Sequence, residues 1–280
     1  MALRINYNLA ASVAQRSLGA SQDNYAKQAE KLATGLRINK AGDDAAGMAV
    51  SERLKNQVRG LNQAQRNAQD GISMVQTAEG AMGEAHNILA RMRELAIQAS
   101  NDTVTANDRA NLQVEFSALY SEIDRIASST QFNGTAVLNG ANGNGLKLQI
   151  GANNGNTVTL NISPSSGFQP TMLDANFSGA GSSITSQSLA SGTITVLDNA
   201  VNAVSSARAS LGALQARLES AGRSISVAAE NAAAANSRIA DTDIAQSMSE
   251  MVRAQILQQA GISVLAQANQ APSLVLQLLK

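Results

Sequence analysis

Few side chains in this sequence could do covalent or metal chemistry, and their spacing argues against it. His86 is the only histidine and cysteine is absent. A histidine-rich metal cluster therefore has no source here, and disulfides, thiolate sites and cysteine nucleophiles are excluded. His86 falls on the 79/86/93 row between Glu79 and Arg93, at solvent or at a contact between subunits. Two carboxylate pairs, Asp43 with Asp44 and Asp241 with Asp243, stand close enough for one acid to work against another. Each pair lies at a helix start or a joint, where a carboxylate caps the helix or pairs with a cation. Met74, Met82, Met92, Met248 and Met251 recur at helical spacing and read as packing. No phosphate-loop, HExxH or GxSxG pattern occurs. The expectation is a protein that is not an enzyme, with no catalytic, cofactor-binding or metal residues.

The elements explain the chain better than the chemistry does. From Leu197 one apolar residue recurs every seven: Val204, Leu211, Leu218, Ile225, Ala232 and Ile239. A second row follows three behind, at Ala200, Ala207, Leu214, Ala221, Ala228 and Ala235. A matching row runs through Leu54, Leu61, Ala68, Val75, Met82, Leu89 and Ala96. A seam of this kind cannot be buried by one helix against itself. Two seams far apart in sequence predict a mainly α fold: a long antiparallel coiled-coil rod, with the chain turning in its middle. Aromatics make up 2% and tryptophan is absent, so the core must be Ala, Leu, Ile, Val and Met rather than large aromatic anchors.

Along the chain, residues 3–36 read as helix, with Leu9, Leu18 and Leu32 on its apolar stripe. Gly35 and Gly42 mark a connection, after which Asp43 and Asp44 occupy the N-cap and first turn of a helix running to about Ser100. A polar turn at 101–108 precedes a helix carrying Leu112, Phe116, Leu119, Ile123 and Ile126. Asn133-Gly134 breaks the chain. Alternation at Leu146, Leu148 and Ile150, and at Val158, Leu160 and Ile162, predicts a small β-hairpin over about 146–162. Residues 163 to about 191 are expected to be loop. A last helix, about 243–270, carries Ile256, Leu257, Val264 and Leu265 on a broad stripe and is expected to stop at Pro272. Both terminal helices are amide-rich and nearly free of acid, with too much apolar surface to stay solvated alone. They should pair with each other and with neighbouring copies.

Charge and targeting narrow the partners. With 21 acids against 21 bases the formal net charge is +0, so no field draws the chain to nucleic acid or an anionic membrane, and neutrality favours self-association. No stretch approaches the roughly 18 consecutive apolar residues of a membrane helix, and the first residues lack the apolar core and cleavage site of a signal peptide.

Several stretches resemble bacterial flagellin: ATGLRINKAGDDAAGMAVSERL (33–54), RNAQDGISMVQTAEGAM (66–82), RMRELAIQASN (91–101), TQFNG (130–134), SRIADTDIA (237–245) and RAQILQQAGISVLAQANQ (253–270). The resemblance covers roughly 1–162 and 190–280, in the family's order. It implies a structural subunit that polymerises into the flagellar filament for motility. It is a short form lacking large outer domains, with a flagellin-like adhesin or a hook–filament junction protein as the alternative. Residues 1–43 and 239–280 would be paired terminal helices of the inner filament core, with Leu9, Leu18, Leu32, Ile256, Leu257, Val264 and Leu265 in assembly. Residues 44–162 and 190–238 would form an outer helical domain, and 163–189 a short variable surface loop. The implied partners are other copies of the chain, the cap and hook–filament junction proteins, and an export chaperone at the C-terminal helix. The implied route is type III export without a cleaved signal to an extracellular filament. Arg91, Leu95 and Glu115 match the pattern through which a host flagellin-sensing Toll-like receptor contacts the monomer, with Leu95 expected to be an exposed anchor one helical turn from Arg91.

Overall fold

The computed structural model describes residues 8–140, 145–162 and 183–278, without the side chains of 271–278. Five helices dominate the described residues: α1 (Leu9–Thr34), α2 (Ala45–Ala99), α3 (Ala106–Ser129), α4 (Gln187–Ala240) and α5 (Ile244–Leu278). The strands are short: β1 (Gln131–Phe132), β2 (Thr135–Ala136), β3 (Leu146–Gln149) and β4 (Thr157–Leu160). The fold is therefore mainly α, with antiparallel long helices, a small hairpin and paired terminal helices. The expected helical start at 3–7 and the expected loop over 163–182 lie outside the described residues. Helix α5 does not stop at Pro272 as expected but runs on to Leu278, at the loss of the one hydrogen bond that proline cannot donate.

Local chemistry sets the helix ends. Asn8 caps α1 by accepting from the Ala11 N–H, and Gly35 ends it in the left-handed conformation at φ 71°. Asp44 Oδ1 accepts from the Gly47 N–H at 2.8 Å. Asp43, expected to serve beside it, instead turns back to the preceding loop and accepts from the N–H groups of Asn39 and Lys40. Those two hydrogen bonds hold its carboxyl below the usual carboxylate range. Thr105 and Asp108 form a reciprocal capping box at the start of α3. Asp243 accepts from the Gln246 N–H at the start of α5, so Asp44 and Asp243 cap helices and Asp43 braces a turn, while Asp241 is engaged through its backbone.

The chain forms two compact units, Met1–Gln57 with Asn231–Lys280, and Val58–Glu230. These divide inside α2 and α4, whereas the sequence reading places its divisions at residues 43/44 and 238/239. In the first unit α1 and α5 pair antiparallel, and Ser51 on α2 donates to Asn236 Oδ1 on α4 at 2.7 Å.

In the second unit α2, α3 and α4 close around one core. The seam is buried as the heptads require, from Leu197, Leu211 and Leu218 on α4 to Val75, Met82, Leu89 and Ala96 on α2. Near its end the pattern slips by one residue: Ala228 is exposed and Ala229 is buried. A straight α-helix drifts by about 20° per heptad from a strict seven-residue repeat, so the inward row must eventually change. From α3 come Phe116, Ile123 and Ala127.

The β3–β4 hairpin pairs Leu146 with Leu160 and Leu148 with Val158, as the alternation predicts. It lies against α2, where Asn67 Nδ2 donates to Gln149 O at 2.9 Å. Gly71 makes this approach possible, since a β-carbon there would stand 2.5 Å from Leu148 Cδ2. Asn133-Gly134 does more than break the chain. It is the two-residue turn of a second hairpin, with φ 48° and 76° and Phe132 paired to Thr135. The expected loop also ends earlier than 189 or 191. Ser186 Oγ accepts from the Leu189 N–H and starts α4 at Gln187, and Ile184 is already fully buried.

Candidate assembly surface

The first unit is organised by a clasp at the two helix junctions. Leu36 and Asp241 form an antiparallel bridge. The Arg37 N–H donates to Ala240 O at 2.7 Å, and the Thr242 N–H donates to Gly35 O at 3.0 Å. The Arg37 guanidinium adds two bonds, from Nε and Nη2, to Ile239 O at 3.1 and 2.6 Å. These occupy carbonyls at the end of α4 that have no partner within the helix. At the far end of the α1–α5 pair, Asn8 Nδ2 donates to Ala268 O at 2.7 Å.

Pairing covers only part of the apolar surface of these two helices. Ala14 is the only buried residue of α1, and on α5 only Ser247 and Ala254 are buried among the described side chains. Of the residues expected in assembly, Leu9 is 60% exposed, Ile256 60%, Leu257 53% and Val264 56%, while Leu18, Leu32 and Leu265 are half-buried. Leu9, Leu18, Leu257 and Val264 come together with Val13 and Ala14 along an open groove of about 580 Å³ between α1 and α5. Leu18 sits over Gly261, whose missing β-carbon would lie 3.5 Å from Leu18 Cδ1. Leu32, Ile256 and Leu265 do not line that groove. Ile256 and Leu257 are neighbours in sequence, about 100° apart around the helix, so α5 shows apolar surface on more than one face.

In the second unit, Arg91 and Glu115 are joined across α2 and α3. Arg91 Nε and Nη2 donate to Glu115 Oε1 at 3.0 and 2.9 Å, and Nη1 donates to Glu94 Oε2 at 3.0 Å. The hydrogen bond to Glu115, then the one to Glu94, raises the guanidinium's already high pKa further. Leu95 is not the exposed anchor expected beside them. It is 1% exposed and belongs to the core with Leu89, Met92 and Phe116. The reason is α3, which gives α2 a second neighbour here and buries a face that a two-helix seam would leave open.

His86 is also less exposed than its row suggests. It is half-buried, and its Nδ1 has no hydrogen-bond partner. Its row carries the charge pairs of α2 with α4, Arg93 with Asp198 at 2.6 Å and Glu79 with Arg208 at 3.7 Å. Sequence reasoning missed Arg37, Ser51 and Asn236; only the register of the long helices brings their partners within reach.

Sequence comparison places this geometry in a family. The bacterial flagellin N-terminal helical region matches residues 5–143, and the flagellin C-terminal helical region matches 194–279. A flagellin of Halalkalibacterium halodurans is 47% identical over 276 residues, covering 99% of both chains. A flagellar filament 30.7 kDa core protein of Treponema maltophilum is 44% identical over 285 residues, covering 98% of this chain and 99% of that one. Among solved structures, a putative flagellar hook-associated protein from Vibrio parahaemolyticus shares the fold. Its TM-score is 0.58 at 14% identity, over 71% of this chain and 100% of the other. Helical regions of the family at both ends, in the same order and joined through the clasp described above, establish that the chain belongs to the bacterial flagellins.

Proposed function

We propose that this chain is a structural subunit of the flagellar filament and that it polymerises through the outer faces of the α1–α5 pair. The observation that carries this reading is the apolar surface the pair leaves open, with Leu9, Ile256, Leu257 and Val264 each more than half exposed. A long-lived monomer gains nothing from such surface, and contiguous exposed apolar patches mark association sites. Residues 1–43 and 239–280 would form the inner layer, and 44–162 with 190–238 a layer around it. A relative that is a flagellar filament core protein by name supports an extracellular filament, and type III export goes with the family. Before assembly, α5 would be covered by an export chaperone. At the growing end and the base, the partners would be the cap and hook–filament junction proteins.

The test is a pair of variants, Leu257→Asp and Leu265→Asp, with filament formation from seeded monomer followed by electron microscopy. A charge buried without a partner in a repeating interface costs roughly several kcal/mol per subunit, so both variants should fail to polymerise. Their second unit should melt as in the parent protein. Normal filaments from either variant would overturn the assignment of α5 to the interface.

Recognition of the monomer by a Toll-like receptor is a second reading, favoured by the exposed, pre-arranged Arg91–Glu115 pair. Leu95 would act beneath it, holding that turn of α2 in place. Arg91→Ala should lower potency on receptor-bearing cells by about thirtyfold or more, the scale of a lost interface anchor. Full potency would confine Arg91 to packing.

A further inference from the structure

Asparagine followed by glycine is the residue pair most prone to lose its side-chain amide, because glycine has no β-carbon to crowd its attacking nitrogen. Five such pairs begin at residues 133, 139, 142, 144 and 154. The structure separates the first from the last. Asn133-Gly134 is the entire loop of the β1–β2 hairpin, held at φ 48° and 76° with Gln131 paired to Ala136 and Phe132 to Thr135. To bring the Gly134 nitrogen onto its own side chain, Asn133 must rotate out of the turn, and both strand pairs must open with it.

Asn154-Gly155 occupies the wider β3–β4 loop. Its ends are held, since the Ile150 N–H donates to Asn156 O at 2.9 Å and Gln149 Nε2 donates to the carbonyls of Gly151 and Asn153. The tip is closed by two bonds, from the Asn156 N–H to Asn153 O at 3.3 Å and from the Thr157 N–H to Gly155 O at 2.9 Å, with Gly155 at φ 88°. Asn154 is exposed, its side-chain amide has no hydrogen-bond partner, and the Gly155 N–H has none either. The electrophile and the nucleophile are thus adjacent and without hydrogen bonds of their own, on a loop wider than the two-residue turn at Asn133-Gly134.

We propose that Asn154-Gly155 is a self-modification site at which the folded protein deamidates ahead of Asn133-Gly134. The Gly155 nitrogen gives its proton to water and attacks Cγ of Asn154. The Cγ–Nδ2 bond then breaks and ammonia leaves, taking up a proton, so that a five-membered succinimide remains. Water adds to one of the two ring carbonyls and the ring nitrogen recovers a proton. Opening at Cγ yields aspartate, and opening at the backbone carbonyl yields isoaspartate with an extra methylene in the main chain. Water is the only co-reactant and no oxidation occurs. Each event adds one negative charge to a subunit whose formal net charge is +0. The charge appears where the loop meets α4, since Gly155 lines an open cleft with Ala221, Ser224 and Ile225.

The test is to age the folded full-length protein in neutral buffer and follow each Asn-Gly pair by peptide mapping with isotope-resolved mass spectrometry. An isoaspartyl methyltransferase assay counts the rearranged product. Conversion at 154 should run at least about tenfold faster than at 133, because the 133 site must first open its hairpin. Asn154→Gln should abolish the modification there and leave the rate at 133 unchanged. In concentrated urea the two rates should converge. Equal rates in the folded protein, a difference that persists in urea, or an inert Asn154 in folded protein that converts once unfolded would each overturn the proposal.

Discussion

The α1–α5 pair and the α2–α3–α4 core are made of the same few residue types, yet one leaves its large aliphatic side chains open and the other buries them. Leu211 and Leu218 are at most 1% exposed, while Leu257 is 53% exposed. The difference lies in the number of neighbours. In the second unit three helices and a hairpin surround the seam, so each apolar face of α2 meets something. In the first unit α5 carries apolar residues around much of its circumference and has one long helical partner. Intramolecular packing satisfies the first kind of surface and leaves the second open.

The largest effect should come from exchanging the treatment of the two regions. Phe116→Ala empties a site that is 1% exposed and should destabilise the second unit by about 3–5 kcal/mol, measured by denaturant melting of the monomer. Leu257→Ala should leave that transition in place. Comparable shifts for the two would mean that the pair and the core are held in the same way. Limited proteolysis probes the same contrast. Ordering a terminal residue costs roughly 1–2 kcal/mol, which a half-covered pair repays poorly. Protease should therefore trim monomer from both ends and leave a fragment of roughly residues 45–238, and equal resistance of ends and centre would remove the distinction.

A smaller effect is expected where the hairpin seats on α2. Gly71→Ala puts a methyl group against Leu148 and should cost about 1–3 kcal/mol, read by the same melting experiment. Alanine at the open position Gly80, where nothing lies within 4 Å, should be neutral or slightly stabilising through helix propensity. If the two substitutions behave alike, Leu148 yields freely and the seat is not a close one.

The smallest expected effect is acid sensitivity at the start of α3. Hydrogen bonds from the Thr105 hydroxyl and then its backbone N–H hold Asp108 below its ordinary value of 3.8. A carboxylate with a depressed folded-state pKa contributes its full stabilisation above the unfolded value, and loses it as pH falls through the folded one. Asp108→Asn should flatten this part of the stability profile below pH 3.8. An unchanged acid slope would assign it to other groups, Asp43 and Glu122 among them, which are depressed as well.

Much of this contrast was legible in the residues, because a seven-residue period states directly which side chains face a partner. The hairpin at 146–160 was legible for the same reason, with a period of two. Leu95 was not, since its burial depends on α3 arriving from elsewhere in the chain, and one helix's period carries no record of a third. Asn133-Gly134 carries a turn signal, but the strands it joins are two residues each and too short to show a period of two. Ser186 was a cap without an obvious helix behind it, because Gln187–Gly192 carries only Leu189 and Ala190 as apolar residues and the periodic row begins only at Leu197. The Arg37 contact to Ile239 O spans some two hundred residues and has no local signature.

That contact changes the connectivity of the molecule. With Leu36 bridged to Asp241, the chain is no longer a line but a closed ring with two tails leaving side by side from one knot. A single backbone cut inside the ring, at the Asn101–Val104 turn for example, would not separate the tails, because the knot still joins them. An added sequence in a loop of the ring, between β3 and β4 for example, lengthens its circumference and leaves the spacing of the tails as it was. The ring can thereby change in length without moving the tails apart.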